Sequence, residues 1–420
     1  MKVLNVNTFD DVGGAARAAY RIHKGLIANN VKSNLFVQKK INDDSTINVL
    51  EGKVNKLSTK LQQRADSLLK LILRYEVSTP WSLNYLSNLR GIDYLNNSNA
   101  DIINLHWINQ NFISVYNLQH INLPIVWTLH DSWAFTGGCH IPYSCKKYME
   151  YCAKCEQLNN GHFIDLAQYG YKAKKKVYSK IDMTIVAPSK WLAKCVQESS
   201  LLGCNKIKVI PNGIDIQKYK PIDKNVTRDI LSINKKKKII LFGAMSSTKD
   251  KNKGYQYLID ALNKIGNFIE DDCIEIIVFG GNQPKEEKIF NYKTTYLGRL
   301  YDDITLNILY SSADVFIAPS ISENLPNTVM ESIACGTPVV AFNIGGISDL
   351  INHKQNGYLA KPFESEDLAR GIAYILEDKE RWNMLSHNAR KKVIDTFDIN
   401  IVAKKYINLY EEILESRKNR

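Results

Sequence analysis

The chain has no apolar run near the roughly 20 residues needed to cross a bilayer, so a membrane-spanning helix is not expected. The opening MKVLNVNTF reads as a short strand followed by polar residues, without the long apolar core of a signal peptide. The expectation is a cytoplasmic protein, at most peripheral on the inner face of the cytoplasmic membrane. Tandem repeats and low-complexity segments are absent apart from the lysine run 235–238. No RNA-binding signature or zinc-finger spacing accompanies the basic charge, so nucleic acid is not the expected partner. The 8 cysteines are not read as a disulfide framework, because a cytoplasmic chain keeps its thiols reduced.

With 420 residues the chain is too long for one ordinary core, and two domains of about 200 residues each are expected. Hydrophobic residues at 45% and charged residues at 23% are ordinary globular values. A net charge of +12 and a pI near 9.1 point to an anionic membrane surface or phosphorylated substrates.

The most informative stretch is Ala318–Leu350, APSISENLPNTVMESIACGTPVVAFNIGGISDL. Asp314–Ala318 has the pattern of a buried strand, and Pro319–Asn324 a polar loop. A helix is expected from about Asn327, with Pro326 at its entrance and Asn327 as a cap. Val329, Met330, Ile333 and Ala334 form its apolar face, Gly336 ends it, and Pro338 follows. Val339–Phe342 is the next strand, and Gly345-Gly346 opens the next turn. Backbone N–H groups around residues 325–328 would then form a helix-terminal anion site. Glu323 lies before the helix and Glu331 about one turn inside it, so they flank that site and do not form a dyad on one face. Each carboxylate can accept from hydroxyls, and a phosphate between two such groups describes a sugar nucleotide. Taken singly, each has an ordinary reading, as a solvated loop Glu or a first-turn Glu favoured by the helix dipole.

Glu323 and Glu331 match the E-x7-E signature of retaining glycosyltransferases of the GT-B fold, in the group called family 4 or glycosyl transferases group 1. The run SENLPNTVMESIACGTPVVAFNIGG resembles that family's donor site almost throughout, and the resemblance covers essentially the whole chain. It implies an α/β fold of two Rossmann-like domains facing a central cleft. The donor would be held by Glu323 on the sugar hydroxyls, Glu331 on the ribose, and the intervening Asn324, Leu325, Pro326, Asn327 and Thr328.

In chain order, Lys2–Asn7 reads as a strand, and Gly13-Gly14 opens a helix from about Ala15, with Arg17 on its first turn. This is a way to bring backbone close to phosphate, or simply a tight turn. It resembles the glycine loop that faces the donor in GT-B enzymes. Lys56–Tyr75 is a basic amphipathic pattern with Leu57, Leu61, Ala65, Leu68 and Ile72 on one face. It reads as a core-facing surface helix or as a membrane-surface helix. Asp101–Leu105 and Ile125–Leu129 are strands ending at His106-Trp107 and His130-Asp131, where α/β folds place ligands. By resemblance, His130 lies near the transferred sugar and acceptor; Asp131 either orients it or caps the next turn.

Gly137–Leu158 carries Cys139, His140, Cys145, Cys152 and Cys155. The four thiols, with His140 as an alternative ligand, fit a structural zinc site, or are scattered reduced cysteines. Some family members resemble the chain here too, with a Cys-rich insert. Lys172, Lys174, Lys175, Lys176 and Lys180 are a solvated helix face or a contact for anionic lipid or a phosphate-linked acceptor. Pro211–Asp215 (PNGID) resembles the family's domain crossing, and 216–236 reads as a linker. Lys253 before Gly254 is positioned to reach a diphosphate. Where the family often carries an Arg about five residues earlier, this chain has Ser247 and Thr248, with Lys249 or Lys251 as substitutes lacking the bidentate fork. Gly298-Arg299 resembles a turn that contacts the nucleotide base. Phe397–Ser416 is a final amphipathic helix, which in GT-B folds crosses back onto the first domain.

The expected domains are 1–215 on the acceptor side, 216–395 for the donor, and 396–420 as the returning helix. The expected reaction moves a sugar with retention from a nucleoside-diphosphate sugar, UDP rather than GDP. Its acceptor would be a hydroxyl of a lipid-linked glycan in bacterial surface-polysaccharide assembly (O-antigen, capsule or exopolysaccharide). Glu323, His130 and Lys253 are the catalytic candidates. No Asp-x-Asp metal motif accompanies the donor block, so no cofactor is expected for catalysis. A GT-B sugar-nucleotide epimerase or hydrolase, or a non-catalytic sugar-nucleotide-binding scaffold, is the alternative.

Overall fold

The computed structural model describes all residues except 51–63, 65, 74, 76, 78, 87–89, 159–163, 244–247, 270–272, 284–290, 301 and 420. It forms two compact units, Met1–Pro211 with Asn400–Arg420, and Asn212–Ile399. The divisions differ by a few residues from those read in the sequence, because Ile214 is paired to Phe397 and Ile399 within the second unit.

The first unit holds strands β1 (Lys2–Phe9), β2 (Lys32–Lys39), β3 (Ile47–Val49), β4 (Ile102–Leu105), β5 (Ile125–Thr128), β6 (Met183–Ala187) and β7 (Lys206–Val209). They pair in the order β3-β2-β1-β4-β5-β6-β7, all parallel. The chain winds outward in opposite directions from β1 and β4, which places a ligand crevice at their carboxyl ends. β4, β5 and β6 are buried along their whole length, the signature of a sheet covered on both faces. On one face the final helix, Ile399–Lys418, lays Val402, Tyr406, Leu409 and Tyr410 against Val3, Ile102, Val126 and Val186.

The second unit has strands β8 (Lys238–Gly243), β9 (Ile274–Phe279), β10 (Lys293–Tyr296), β11 (Val315–Ala318), β12 (Val339–Phe342) and β13 (Gly357–Ala360). Their order is β10-β9-β8-β11-β12-β13, again parallel. The architecture is an α/β GT-B fold of two Rossmann-like units.

Two sequence expectations are corrected, and a third is only partly visible. The stretch 216–236 is not a plain linker: Lys224–Ile230 is helical, and its buried Arg228 pairs with Asp314 at 2.6 Å. Lys174 is not on a solvated face but 1% exposed; its ammonium donates to the carbonyls of Trp133 and Thr136 and sits 3.8 Å from the Trp133 ring. Burial pulls that ammonium down to about 7. The Lys56–Tyr75 expectation falls largely outside the described residues. In the described part, Leu69 and Leu73 face the protein, while Leu68, Leu71 and Ile72 are 57%, 73% and 68% exposed. Asp66 sets this rotation by accepting from the backbone N–H groups of Leu83 and Asn84.

His23, inside the first unit, is pushed down to about 4 by burial. Below its ordinary 6.5 the unfolded chain binds a proton that folded His23 refuses until about 4. Stability should therefore fall as pH drops through that window, by on the order of 3 kcal/mol for this residue. Urea titrations followed by tryptophan fluorescence at about pH 7.5 and about pH 4.5 check this; His23→Gln should flatten part of the slope.

Candidate active site

The segment from β11 to β12 in the second unit is built around one clamped carboxylate. Helix α1 (Asn327–Ala334) follows β11, with Pro326 at its cap position and no side-chain cap bond. Asn327 is thus the first helical residue and not the cap. The first intrahelical bond is Met330 N–H to Pro326 carbonyl, so the helix offers no acceptor to the amides of Asn327, Thr328 and Val329. Pro326 has no N–H, so it adds shape and not a donor to this N-terminus. Asn324, Pro326, Asn327 and Thr328 are half-buried and Leu325 is buried. At the far end Gly336 takes φ +75° and stops the helix, as its position predicts.

Glu323 is held from two sides. Its carbonyl accepts from Gly346 N–H at 3.1 Å. Gly345 has φ +52°, and a Cβ there would lie 1.9 Å from the same carbonyl oxygen. Its carboxylate meets Lys253 Nζ at 2.6 Å, with the side chains 15% and 22% exposed. Lys253 is delivered by a short turn in which Asp250 caps Asn252 N–H. Asn252 Nδ2 donates to Ser322 carbonyl at 2.8 Å, and Ile321 N–H to Asn252 carbonyl at 2.8 Å. Gly254, at φ +68°, lets this turn touch Pro319; a Cβ would sit 1.8 Å from the Pro319 oxygen. Glu331, one turn into α1, is 2% exposed and accepts from the Tyr310 hydroxyl at 3.2 Å.

Other donor candidates are not drawn into this cluster. Arg299 is exposed, in a turn where Gly280 N–H donates to Gly298 carbonyl. Lys249 and Lys251 are exposed. Thr248 donates to Asn282 carbonyl at 3.2 Å, and Ser247 lies outside the described residues. In the first unit, Gly13 at φ +89° precedes the helix Gly14–Ala28, and Arg17 lies 3.8 Å from Asp11.

At the carboxyl ends of β4 and β5, His130 Nε2 lies 3.0 Å from His106 Nδ1, with the rings stacked. Burial pulls His130 down to about 4 and His106 well below its ordinary value, so both are neutral. Asp131 turns away from its sequence neighbour: it accepts from His140 Nδ1 at 2.6 Å, Trp107 Nε1 at 3.0 Å and Trp133 N–H at 2.8 Å. It therefore caps the next turn and orients His140, whose Nε2 is 3.0 Å from Ser82 Oγ. Burial would raise the Asp131 carboxyl, but His140 and the N–H donors outweigh it and hold the group below its usual range.

Those bonds commit His140, the alternative zinc ligand, elsewhere. Among the described residues no group of three or more His, Cys, Asp or Glu side chains is arranged to hold a metal ion. Of the four thiols, Cys139 and Cys155 are hydrogen-bonded to each other, and Cys139 and Cys152 are buried. Ser82 and Tyr310 were not singled out in the sequence, His106 was noted there only as a strand end, and His140 only as an alternative metal ligand. Polar residues inside apolar strands, Asn5 and Asn104, were the available signal.

Residues 12–218 match the family described as Glycosyltransferase Family 4, and residues 223–392 match Glycosyl transferases group 1. The chain belongs to the family 4 glycosyltransferases of the GT-B fold. It is 28% identical over 220 residues, 50% of this chain and 56% of the relative, to the UDP-Gal:alpha-D-GlcNAc-diphosphoundecaprenol alpha-1,3-galactosyltransferase of Escherichia coli. It is 27% identical over 222 residues, again 50% and 56%, to the N,N'-diacetylbacillosaminyl-diphospho-undecaprenol alpha-1,3-N-acetylgalactosaminyltransferase of Campylobacter jejuni. The chain thus spans about half the length of the curated relatives it matches. The fold is similar to that of HepE of Anabaena in complex with UDP-glucose, with TM-score 0.64, 18% identity, and 99% and 100% of the two chains covered.

Gly345→Ala should move Glu323 by forcing a side chain into its carbonyl. The expected result is a loss of 1 kcal/mol or more, about that of a strained left-handed residue. Differential scanning calorimetry against Gly346→Ala measures it, with the larger drop expected at Gly345.

Proposed function

We propose that the protein transfers a sugar, with retention at the anomeric carbon, from a UDP-sugar to a hydroxyl of a lipid-linked glycan. The Lys253–Glu323 pair beside the N-terminus of α1 carries the reading. A diphosphate entering there meets an ammonium and the amides of Asn327, Thr328 and Val329. Glu323 accepts from the sugar's hydroxyls and Glu331 from the ribose. As the bond from the anomeric carbon to the diphosphate breaks, negative charge builds on the leaving phosphate. Lys253 and the helix terminus stabilise that charge. The acceptor oxygen attacks from the same face, and its proton leaves with the diphosphate. No covalent nucleophile and no metal ion enter this scheme.

The choice of UDP and of a diphospho-undecaprenol-type acceptor is supported by the names of the relatives and by UDP-glucose bound to the structural neighbour. Contact with an anionic bilayer is supported by the exposed Leu68, Leu71 and Ile72. They flank a small core that also receives the first residues of the helix Leu166–Tyr178, on which Lys172, Lys175 and Lys176 are exposed. Apolar insertion beside lysines is the usual signature of a helix lying in a membrane interface. Among the described residues no helix is long and apolar enough to cross a membrane.

Glu323→Gln should lower transfer by about 10²-fold or more with little change in Tm, as expected for a group stabilising the transition state. Turnover near wild type would remove it from the site. A thermal-shift panel of UDP, GDP, ADP and CMP with chelator present should give stabilisation with UDP, about 2.7 kcal/mol at a hundredfold excess over Kd. A response only after adding a divalent cation would contradict the metal-free scheme. Sedimentation with vesicles should show binding to anionic but not neutral lipid, reduced by Leu71→Ser with Ile72→Ser.

A further inference from the structure

A continuous line of hydrogen bonds crosses the first unit's sheet and ends on His130. It starts at Asp44, a carboxylate that only accepts. Burial would raise that carboxyl, but hydrogen bonds from the Thr46 side chain and backbone outweigh it and keep the group ionised. Thr46 Oγ1 donates to Asp44 Oδ1 at 2.6 Å, which leaves its oxygen to accept from His23 Nε2 at 2.8 Å. Neutral His23 therefore keeps a lone pair on Nδ1, and Ser33 Oγ donates to it at 2.8 Å. Ser33 in turn accepts from Asn5 Nδ2 at 3.0 Å, which aims Asn5 Oδ1 at Asn104 Nδ2, 3.2 Å away.

Asn104 is oriented a second time, because its Oδ1 accepts from Thr128 Oγ1 at 3.0 Å. Its Nδ2 also faces His106 Nε2 at 3.1 Å. An amide nitrogen only donates, so His106 Nε2 holds a lone pair and Nδ1 carries the hydrogen. The approach of His106 Nε2 to Asn5 Oδ1 is longer, 3.4 Å, and that oxygen already accepts from Asn104. His106 Nδ1–H then donates across 3.0 Å to His130 Nε2. This occupies the lone pair of that nitrogen and leaves the hydrogen of His130 on Nδ1.

We propose that His106 is the positioning residue that sets the tautomer of His130, so that His130 meets a substrate hydroxyl as a hydrogen-bond donor and takes no proton from it. The proposal rests on the glycosyl-transfer reading and deepens it. With His130 unable to act as base, the acceptor proton must leave with the nucleoside diphosphate. The line of bonds fixes His130 through four strands, β1, β2, β4 and β5, and through the helix Gly14–Ala28 that carries His23, before any ligand arrives.

Isotope-labelled histidine and long-range proton–nitrogen correlation read the tautomer in the resting protein, with His130→Gln supplying the assignment. The expected spectrum has a pyrrole-type Nδ1 and a pyridine-type Nε2 on His130. A pyrrole-type Nε2 overturns the proposal. In His106→Asn the amide nitrogen reaches the place of Nδ1, so the tautomer and kcat should be kept within about threefold. In His106→Gln the amide reaches only the place of Nε2. His130 should then drift toward the Nε2–H form, and kcat should fall by about tenfold or more with donor KM unchanged. Equal losses in both variants with an unmoved His130 tautomer would reduce His106 to packing and end the proposal. The spectrum needs no turnover. A protein with this tautomer pattern but no sugar transfer would fail the transferase reading and the substrate role of His130, while keeping the assignment.

Discussion

The site around Glu323 depends on loops meeting at a distance that only glycine permits. Gly254 brings the Lys253 turn onto Pro319, and Gly345 brings the following turn onto the carbonyl of Glu323. Between those two approaches the Glu323 backbone is fixed before its side chain is considered. The ion pair with Lys253 then fixes the carboxylate. A half-buried charge pair of this kind is weak evidence for stability, because desolvation offsets much of the attraction. In the proposed reaction its use is geometric: a hydrogen-bond acceptor and a cation are already in place beside the amides of α1. Enzymes gain most from charges that need no reorganisation when the transition state forms.

The first unit solves a different problem. Its central strands β1, β4 and β5 are buried, yet carry Asn5, Asn104 and Thr128 among their apolar residues. An unsatisfied buried polar group costs about 1–3 kcal/mol, so such a row persists only if each member finds a partner. Here each does, and the row hands its order to the histidines at the strand ends. His106 and His130 are both neutral because burial disfavours the imidazolium. Asp131, which might have charged His130, instead spends its oxygens on His140, Trp107 and Trp133.

Much of the fold was legible in the sequence. Alternating apolar strands and capped helices gave the two α/β units, and Gly336 ended its helix where its position required. The run around Glu323 and Glu331 gave the family. What was not legible were faces and partners. Lys174 sits at helical spacing with exposed lysines, but the tertiary fold turns it inward onto Trp133. Leu68 and Ile72 follow a helical period, yet Asp66 rotates the helix so that Leu69 and Leu73 are inside. Arg228 looked like part of a polar linker, and it is buried against Asp314.

The sequence by itself determined many of the strands and helices and which glycines stand at turns, though not the helix Lys224–Ile230 or the cap position before Asn327. These follow from periodicity, capping and backbone sterics acting over a few residues. Only the tertiary structure decided that Lys253 meets Glu323 across 70 residues and that His106 meets His130 across 24. It also decided that Asp131 serves His140 and not its neighbour. Those partners come from different strands and loops, so their meeting is set by strand order and register. A one-residue slip in register would reverse every side chain involved.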